Sequence, residues 1–237
     1  MTHFEDLLVV QEHDTAIDRL KHRRANLPER AELAQIEDEL VALERQLETV
    51  TEARDAVARR QRHHEDELAA LETKIAEVNT RMYSGAVTIP RELQAMQADV
   101  DSLKRRQSTL EDDVLEAMDE REPLDEEVAS LTAARAGHDQ EAARLRLAIA
   151  EEEAAIGAEL DQETAARAAA VAAVPADLVK LYEQIRGRSG GVGAARLVGP
   201  RCTGCHLTLP ATELDRIKRE PPDALIRCDQ CSRILVR

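Results

Sequence analysis

Four cysteines, Cys202, Cys205, Cys228 and Cys231, fall within the last 36 residues of the chain as two Cys-x-x-Cys pairs separated by 22 residues. Each short turn can present two sulfurs to one ion, so two such turns supply the four thiolates of a tetrahedral zinc site. A shell closed by four sulfurs leaves no coordination position for water, and the expected cofactor is therefore one structural Zn2+ per chain rather than a catalytic one. His206 follows Cys205 directly and could replace a thiolate, but a complete set of four cysteines makes it a surface neighbour. The competing reading is a reactive thiol pair or a thioredoxin-like redox motif. Neither knuckle is surrounded by the βαβ pattern that this motif requires.

The elements that would position these thiols are short. Residues 194–198, 207–209, 224–227 and 234–236 read as strands and 211–219 as a helical insert, which together form a zinc ribbon. A domain this small needs its metal to stay folded. Upstream of it, six of the nine glycines lie between Gly187 and Gly204, so a flexible break is expected near Ser189. The segment 187–193 resembles a phosphate loop only in glycine content, since no Lys-Ser/Thr follows it, and it reads as linker. A short amphipathic helix over 176–186, with Leu178, Leu181, Tyr182 and Ile185 on one side, is expected to dock on the ribbon or on the base of the preceding helices.

The remainder of the 237 residues has a different character. Phe4, Tyr83 and Tyr182 are the only aromatics, 33% of residues are charged, and the net charge is -15. Such a chain lacks the volume for one compact core and instead suits long helices that each bury one stripe. Counting in alternating steps of three and four from Leu33 to Met82 places apolar residues at twelve of fifteen positions, and the same count from Leu93 to Ile149 does so at thirteen of seventeen. Between the series, residues 83–90 contain Gly85, which permits a turn, and Pro90, which suits the first turn of a helix. So short a connection makes the arms antiparallel. Pairing outward from it matches Met82 with Leu93, Ile75 with Val100 and Leu47 with Val128. On that register Arg54 faces Arg121 beside Pro123, where a local kink is expected. The heptad phase fails upstream of Pro28, which predicts a separate first helix over about residues 3–26, packed beside the alanine-rich end of the second arm.

The fold class is thus mainly α: a long, kinked, antiparallel two-helix coiled-coil hairpin (1–174, turn at 83–90), a short helix with a glycine-rich linker (175–193), and a small C-terminal β zinc ribbon (194–237). The N-terminus has no basic stretch leading into an apolar one, and the longest apolar run, residues 168–174, is far below the roughly 20 residues that cross a bilayer. A cytoplasmic protein without membrane partners is expected. His63-His64-Glu65-Asp66 reads as a solvated face with one seam residue, because no two histidines stand four apart on a helix face. Residues 188–237 hold nine basic and five acidic side chains, so the ribbon is mildly basic while the helices carry the acidic excess. Arg196, Arg201, Arg216, Lys218, Arg219 and Arg227 are the candidate nucleic-acid contacts. The ribbon offers no aromatic for base stacking, which makes this a modest signal.

A helical hairpin followed by Cys-x-x-Cys, about twenty residues, and Cys231-Ser232-Arg233-Ile234-Leu235 resembles the bacterial C4-type zinc-ribbon family once classed as a domain of unknown function. The resemblance rests also on Arg91-Glu92-Leu93 after the turn and covers essentially the whole chain. It implies a kinked coiled coil and a zinc-holding ribbon, and some members are implicated as adaptors or chaperones in flagellar regulation, binding an alternative sigma factor or a messenger RNA. Together these features predict a non-enzymatic, chaperone-like adaptor that binds an unidentified protein partner. The alternative is an RNA- or DNA-binding protein acting through the basic face of the ribbon. An exposed coiled coil is also open to self-association.

Overall fold

The computed structural model describes residues 3–237. In chain order the elements are α1 (His3–Ala25), α2 (Pro28–Tyr83), α3 (Pro90–Val171), α4 (Ala176–Arg188), β1 (Ala194–Val198), β2 (Arg201–Cys202), α5 (Ala211–Arg219), β3 (Ile226–Arg227) and β4 (Ile234–Val236). They group into two compact units, one of residues 33–144 and one uniting residues up to 32 with 145–237. Among the described residues, no helix is long and apolar enough to cross a membrane.

The first unit is the part of the α2–α3 hairpin between residues 33 and 144. Gly85 takes φ +75 in the turn, a region that costs glycine nothing. Pro90 opens α3, where its missing N–H would have had no partner in any case. All fifteen heptad positions of α2 are partly or fully buried, whereas Arg135 breaks the pattern on α3 by lying exposed. Its guanidinium leaves the seam to meet Glu44 at 3.6 Å and Asp139 at 3.9 Å. The seam is shallow: Ile75 is the one buried residue of α2, and the buried apolar residues of α3 within this unit are Val100, Leu110, Ala117 and Ala142. Ion pairs flank it in antiparallel order, with Glu67 meeting Arg106, Arg60 meeting Glu120, Glu44 meeting Arg135 and Glu39 meeting His138. The two seam arginines share the Asp125 carboxylate, and Arg54 also meets Asp55 at 2.8 Å. Arg121 Nε donates to Asp125 Oδ2 at 2.9 Å and Arg54 Nη1 approaches Asp125 Oδ1 at 3.6 Å, beside Pro123, which removes one N–H from the α3 ladder.

The second unit surrounds a four-stranded sheet of order β2-β1-β4-β3, in which β1 and β4 run parallel and the outer pairs antiparallel. Because side chains alternate across a strand, neighbouring residues serve opposite cores. Ala194 and Ile234 pack with Leu7 and Val10 of α1, Val174, and Tyr182 and Ile185 of α4, while Ala195 and Leu235 pack with Cys202, Leu209, Ile217, Ile226 and Cys228. The amphipathic α4 therefore docks as its apolar face predicts. The strand expected at 207–209 reduces to a single bridge between Arg201 and Thr208, and the pairing passes to β2, whose two residues are too few to carry a sequence period.

A buried polar network joins the helices to the sheet. Asp14 on α1, 3% exposed, accepts from the Tyr182 hydroxyl at 2.7 Å and from Arg167 Nε at 2.7 Å, with Arg186 Nε 3.6 Å away. Burial, reinforced by the Asp14 carboxylate, holds the Tyr182 hydroxyl in its neutral form far above the ordinary tyrosine range. Gln11 accepts from the Gly193 N–H at 2.6 Å and donates to the Gly191 carbonyl at 3.1 Å. The glycine-rich segment is fastened from the other side by Arg233, which donates to the Val192 and Ser189 carbonyls at 2.9 and 2.6 Å. Gly193 is required by space: a Cβ there would lie 2.6 Å from the Tyr182 ring and 2.8 Å from its carbonyl oxygen.

Candidate metal centre

The two Cys-x-x-Cys turns fold by the same set of bonds. In the first, the Cys202 N–H donates to the Leu207 carbonyl at 3.1 Å and the His206 N–H returns to the Cys202 carbonyl at 2.8 Å. In the second, the Cys228 N–H donates to the Arg233 carbonyl at 2.9 Å and the Ser232 N–H returns to the Cys228 carbonyl at 2.7 Å. The residue after each second cysteine, His206 or Ser232, takes φ +61. Such a left-handed residue reverses the chain so that both sulfurs of a knuckle face inward, and it explains why exposed His206 is a hinge residue outside the thiol cluster. An arginine precedes each first cysteine and straps its own knuckle: Arg201 Nε donates to the His206 carbonyl at 2.8 Å, and Arg227 Nε to the Ser232 carbonyl at 3.2 Å.

The four sulfurs lie within 4.8 Å of one another, with Cys202 and Cys231 4.0 Å apart and Cys205 and Cys228 3.9 Å apart. A tetrahedron of thiolates at about 2.3 Å from a zinc ion has edges of about 3.8 Å. The donor set therefore fits zinc, and the separations are far longer than the roughly 2.05 Å of a disulfide. Burial pushes the Cys202 thiol up and Cys228 up to about 12. At Cys231 burial acts the same way but is outweighed by hydrogen bonds from Arg233 and by the neighbouring thiols of Cys228 and Cys205, which bring it down to about 7. Thiols held neutral by burial ionise when a divalent cation offsets the charge, so the site is built to be completed by metal. When bound, the ion cross-links the two knuckles and with them both ends of the ribbon.

The chain's matches to known families follow these features. The model of the CT398-like coiled coil hairpin domain matches residues 10–190, and that of the C4-type zinc ribbon domain matches residues 201–235. The chain belongs to the CT398-like coiled-coil hairpin family. Uncharacterized proteins MT2288 and Rv2229c from two strains of Mycobacterium tuberculosis are each 31% identical over 98% of this chain and 94% of their own length. A solved structure from Mycobacterium smegmatis is 26% identical, covers the whole of both chains and superposes with a TM-score of 0.85. CT398 from Chlamydia trachomatis (20% identical, TM-score 0.65, covering 99% of this chain and 97% of its own) shares the fold. So does the HP0958 protein from Helicobacter pylori (19% identical, TM-score 0.52, covering 99% and 96%). The expected family, the hairpin with a C-terminal ribbon and the single structural zinc of this CT398-like protein are all borne out.

The six basic candidates of the ribbon separate into two groups. Arg201 and Arg227 strap the knuckles, and Arg216 is held by Glu213 at 2.9 Å with Asp229 at 3.9 Å. Arg196, Lys218 and Arg219 are exposed and make no side-chain ion pair or hydrogen bond among the described residues. Sequence reasoning missed Gln11 and Asp14. Their signal was present: both lie on the helical face of Leu7, Val10 and Ile17, where an unpaired polar group would be costly.

Proposed function

We propose that this protein is a non-enzymatic cytoplasmic adaptor whose hairpin offers a long protein-binding surface and whose zinc ribbon forms a second recognition head. The observation that carries this reading is the contrast between the two kinds of surface. The one clustered set of potential ligand groups found among the described residues is a closed four-thiol set suited to structure, whereas α2 and α3 devote 56 and 82 residues to helices with outward faces. A machine for chemistry would concentrate titratable groups in a cleft. A machine for recognition extends surface.

Photo-crosslinking residues placed at Val41 on the hairpin and at Lys218 on the ribbon of the zinc-loaded full chain test it in cells. An adaptor yields a specific protein adduct from Val41. The rival nucleic-acid reading, favoured by the unpaired Arg196, Lys218 and Arg219, yields nucleic-acid adducts from Lys218 alone, and a mobility-shift titration then gives binding that falls steeply with salt.

A further inference from the structure

We infer that the outer face of α3 between Glu111 and Ala129 is a docking strip for a basic amphipathic helix of a partner protein. This deepens the adaptor reading and rests on it. Leu115 and Met118 are 58% and 49% exposed, three residues apart and therefore adjacent on one helical face. At 100° per residue, Glu111, Asp112, Asp119, Glu122 and Glu126 all project within about 60° of Leu115. The stretch from Glu111 to Glu127 carries ten carboxylates against one arginine.

Glu39, Glu44 and Glu67 meet cations across the seam, whereas Asp112, Asp119, Glu122 and Glu126 have no side-chain partner among the described residues. At this same level the seam beneath is polar, with Arg54, Gln61 and Arg121 in place of aliphatic side chains. A groove of about 440 Å³ opens there, lined by Gln61, Met118, Arg121, Glu122, Asp125 and Glu126. The hairpin does not need Leu115 or Met118 for its own packing. An apolar pair framed by unpaired carboxylates is complementary to a helix that presents apolar residues at three- and four-residue spacing with Lys or Arg on both flanks. Charge of one sign on the strip disfavours nucleic acid and acidic partners and leaves a basic helix as the complementary occupant.

The test uses the zinc-loaded full chain and three fluorescent 18-residue peptides: a Leu/Lys amphipathic helix, the same peptide with serine for leucine, and a Leu/Glu counterpart. Anisotropy should detect saturable binding of the Leu/Lys peptide alone. Leu115→Ser with Met118→Ser should weaken it at least tenfold, while Leu147→Ser, an exposed leucine elsewhere, should leave it unchanged. Glu122→Gln with Glu126→Gln should weaken it and flatten its salt dependence. Equal binding by the serine peptide, or by the Leu115/Met118 variant, overturns the strip as a docking site. So does the absence of binding, and so does a sedimentation result in which the chain self-associates through Leu115 and Met118, since the occupant is then a second copy. If the peptides fail while crosslinking from Val41 still recovers a protein, the strip is wrong and the adaptor reading stands. If both fail, the adaptor reading falls with it.

Discussion

Along the hairpin, seam residues such as Leu40, Leu68 and Val128 stay partly exposed, and the ion pairs beside them lie at the surface. In the unit that holds the ribbon, Leu7, Val10, Ile156, Tyr182 and Ile234 are fully shielded, and their polar partners are shielded with them. The hairpin spreads its stabilisation thinly over many equivalent layers, so no one layer is indispensable. The ribbon unit concentrates it in two small cores, one buried carboxylate and one metal site. A thin, repetitive seam leaves surface free for recognition and tolerates polar layers such as Arg54 and Arg121. A concentrated core tolerates neither gaps nor unpaired charge.

The sharpest way to break this contrast is at the metal. Structural zinc in small domains is worth roughly 10–16 kcal/mol of apparent binding energy, which is also folding energy. Cys228→Ser should therefore abolish stoichiometric zinc in elemental analysis and melt the ribbon, while circular dichroism keeps most of the helical signal. Retention of one zinc per chain would mean that other ligands hold it. Lowering the pH should release the metal as well, because protons compete for the thiolates.

Next in size is Asp14→Ala. It strands the Tyr182 hydroxyl and leaves Arg167 with Glu183 alone and Arg186 with Asp18 alone, and removal of the one fully buried partner from such a network costs about 3 kcal/mol. Asp125→Ala also removes a carboxylate shared by two arginines, of which Arg54 keeps Asp55, at a half-exposed position of the hairpin where about 1 kcal/mol or less is expected. Equal losses in urea denaturation of the two variants would erase the distinction between the units.

Tyr182 adds a pH signature. Its hydroxyl ionises much less readily in the folded protein than in the unfolded chain. The stabilisation is therefore complete below the unfolded value of about 10 and declines as pH rises above it. Tyr182→Phe should flatten that alkaline decline at the cost of about 1–3 kcal/mol at neutral pH, from the lost bond to a charged acceptor. Denaturation midpoints between pH 8 and 11 measure both effects.

The smallest contrast comes from one substitution made twice. Gly193→Ala pushes a methyl into Tyr182 and should cost about 1–3 kcal/mol. Gly137→Ala lies inside α3 with nothing within 4 Å and should stabilise by up to about 1 kcal/mol. Thermal melts that move in the same direction for both would contradict the assignment of a tight core to one unit and an open surface to the other.

The legibility of the two units in the sequence follows the same division. A heptad is a local, repeated signal, so the arms, the turn at Gly85 and the start at Pro90 could be read directly. The four cysteines were equally plain because thiol spacing encodes the geometry of their shared ion. The contacts that fasten α1 to the sheet were not legible, since Gln11 meets Gly193, and Asp14 meets Arg167 and Tyr182, across 153 to 182 residues of sequence. The misplaced strand at 207–209 has a local cause. The left-handed residue His206 turns the chain out of the first knuckle, and Leu209 enters the core as part of a loop rather than through a ladder. The strap roles of Arg201 and Arg227 were hidden because a basic residue beside a zinc knuckle reads equally well as a phosphate contact.

Hydrogen exchange read by mass spectrometry, with and without chelation of the metal, tests the division of labour most directly. Chelation should expose the amides of residues 194–237, including the knuckle N–H groups of His206 and Ser232, while peptides from the seam between Leu33 and Arg144 exchange as before. Protection lost equally across both regions, or ribbon amides indifferent to chelation, would contradict that division.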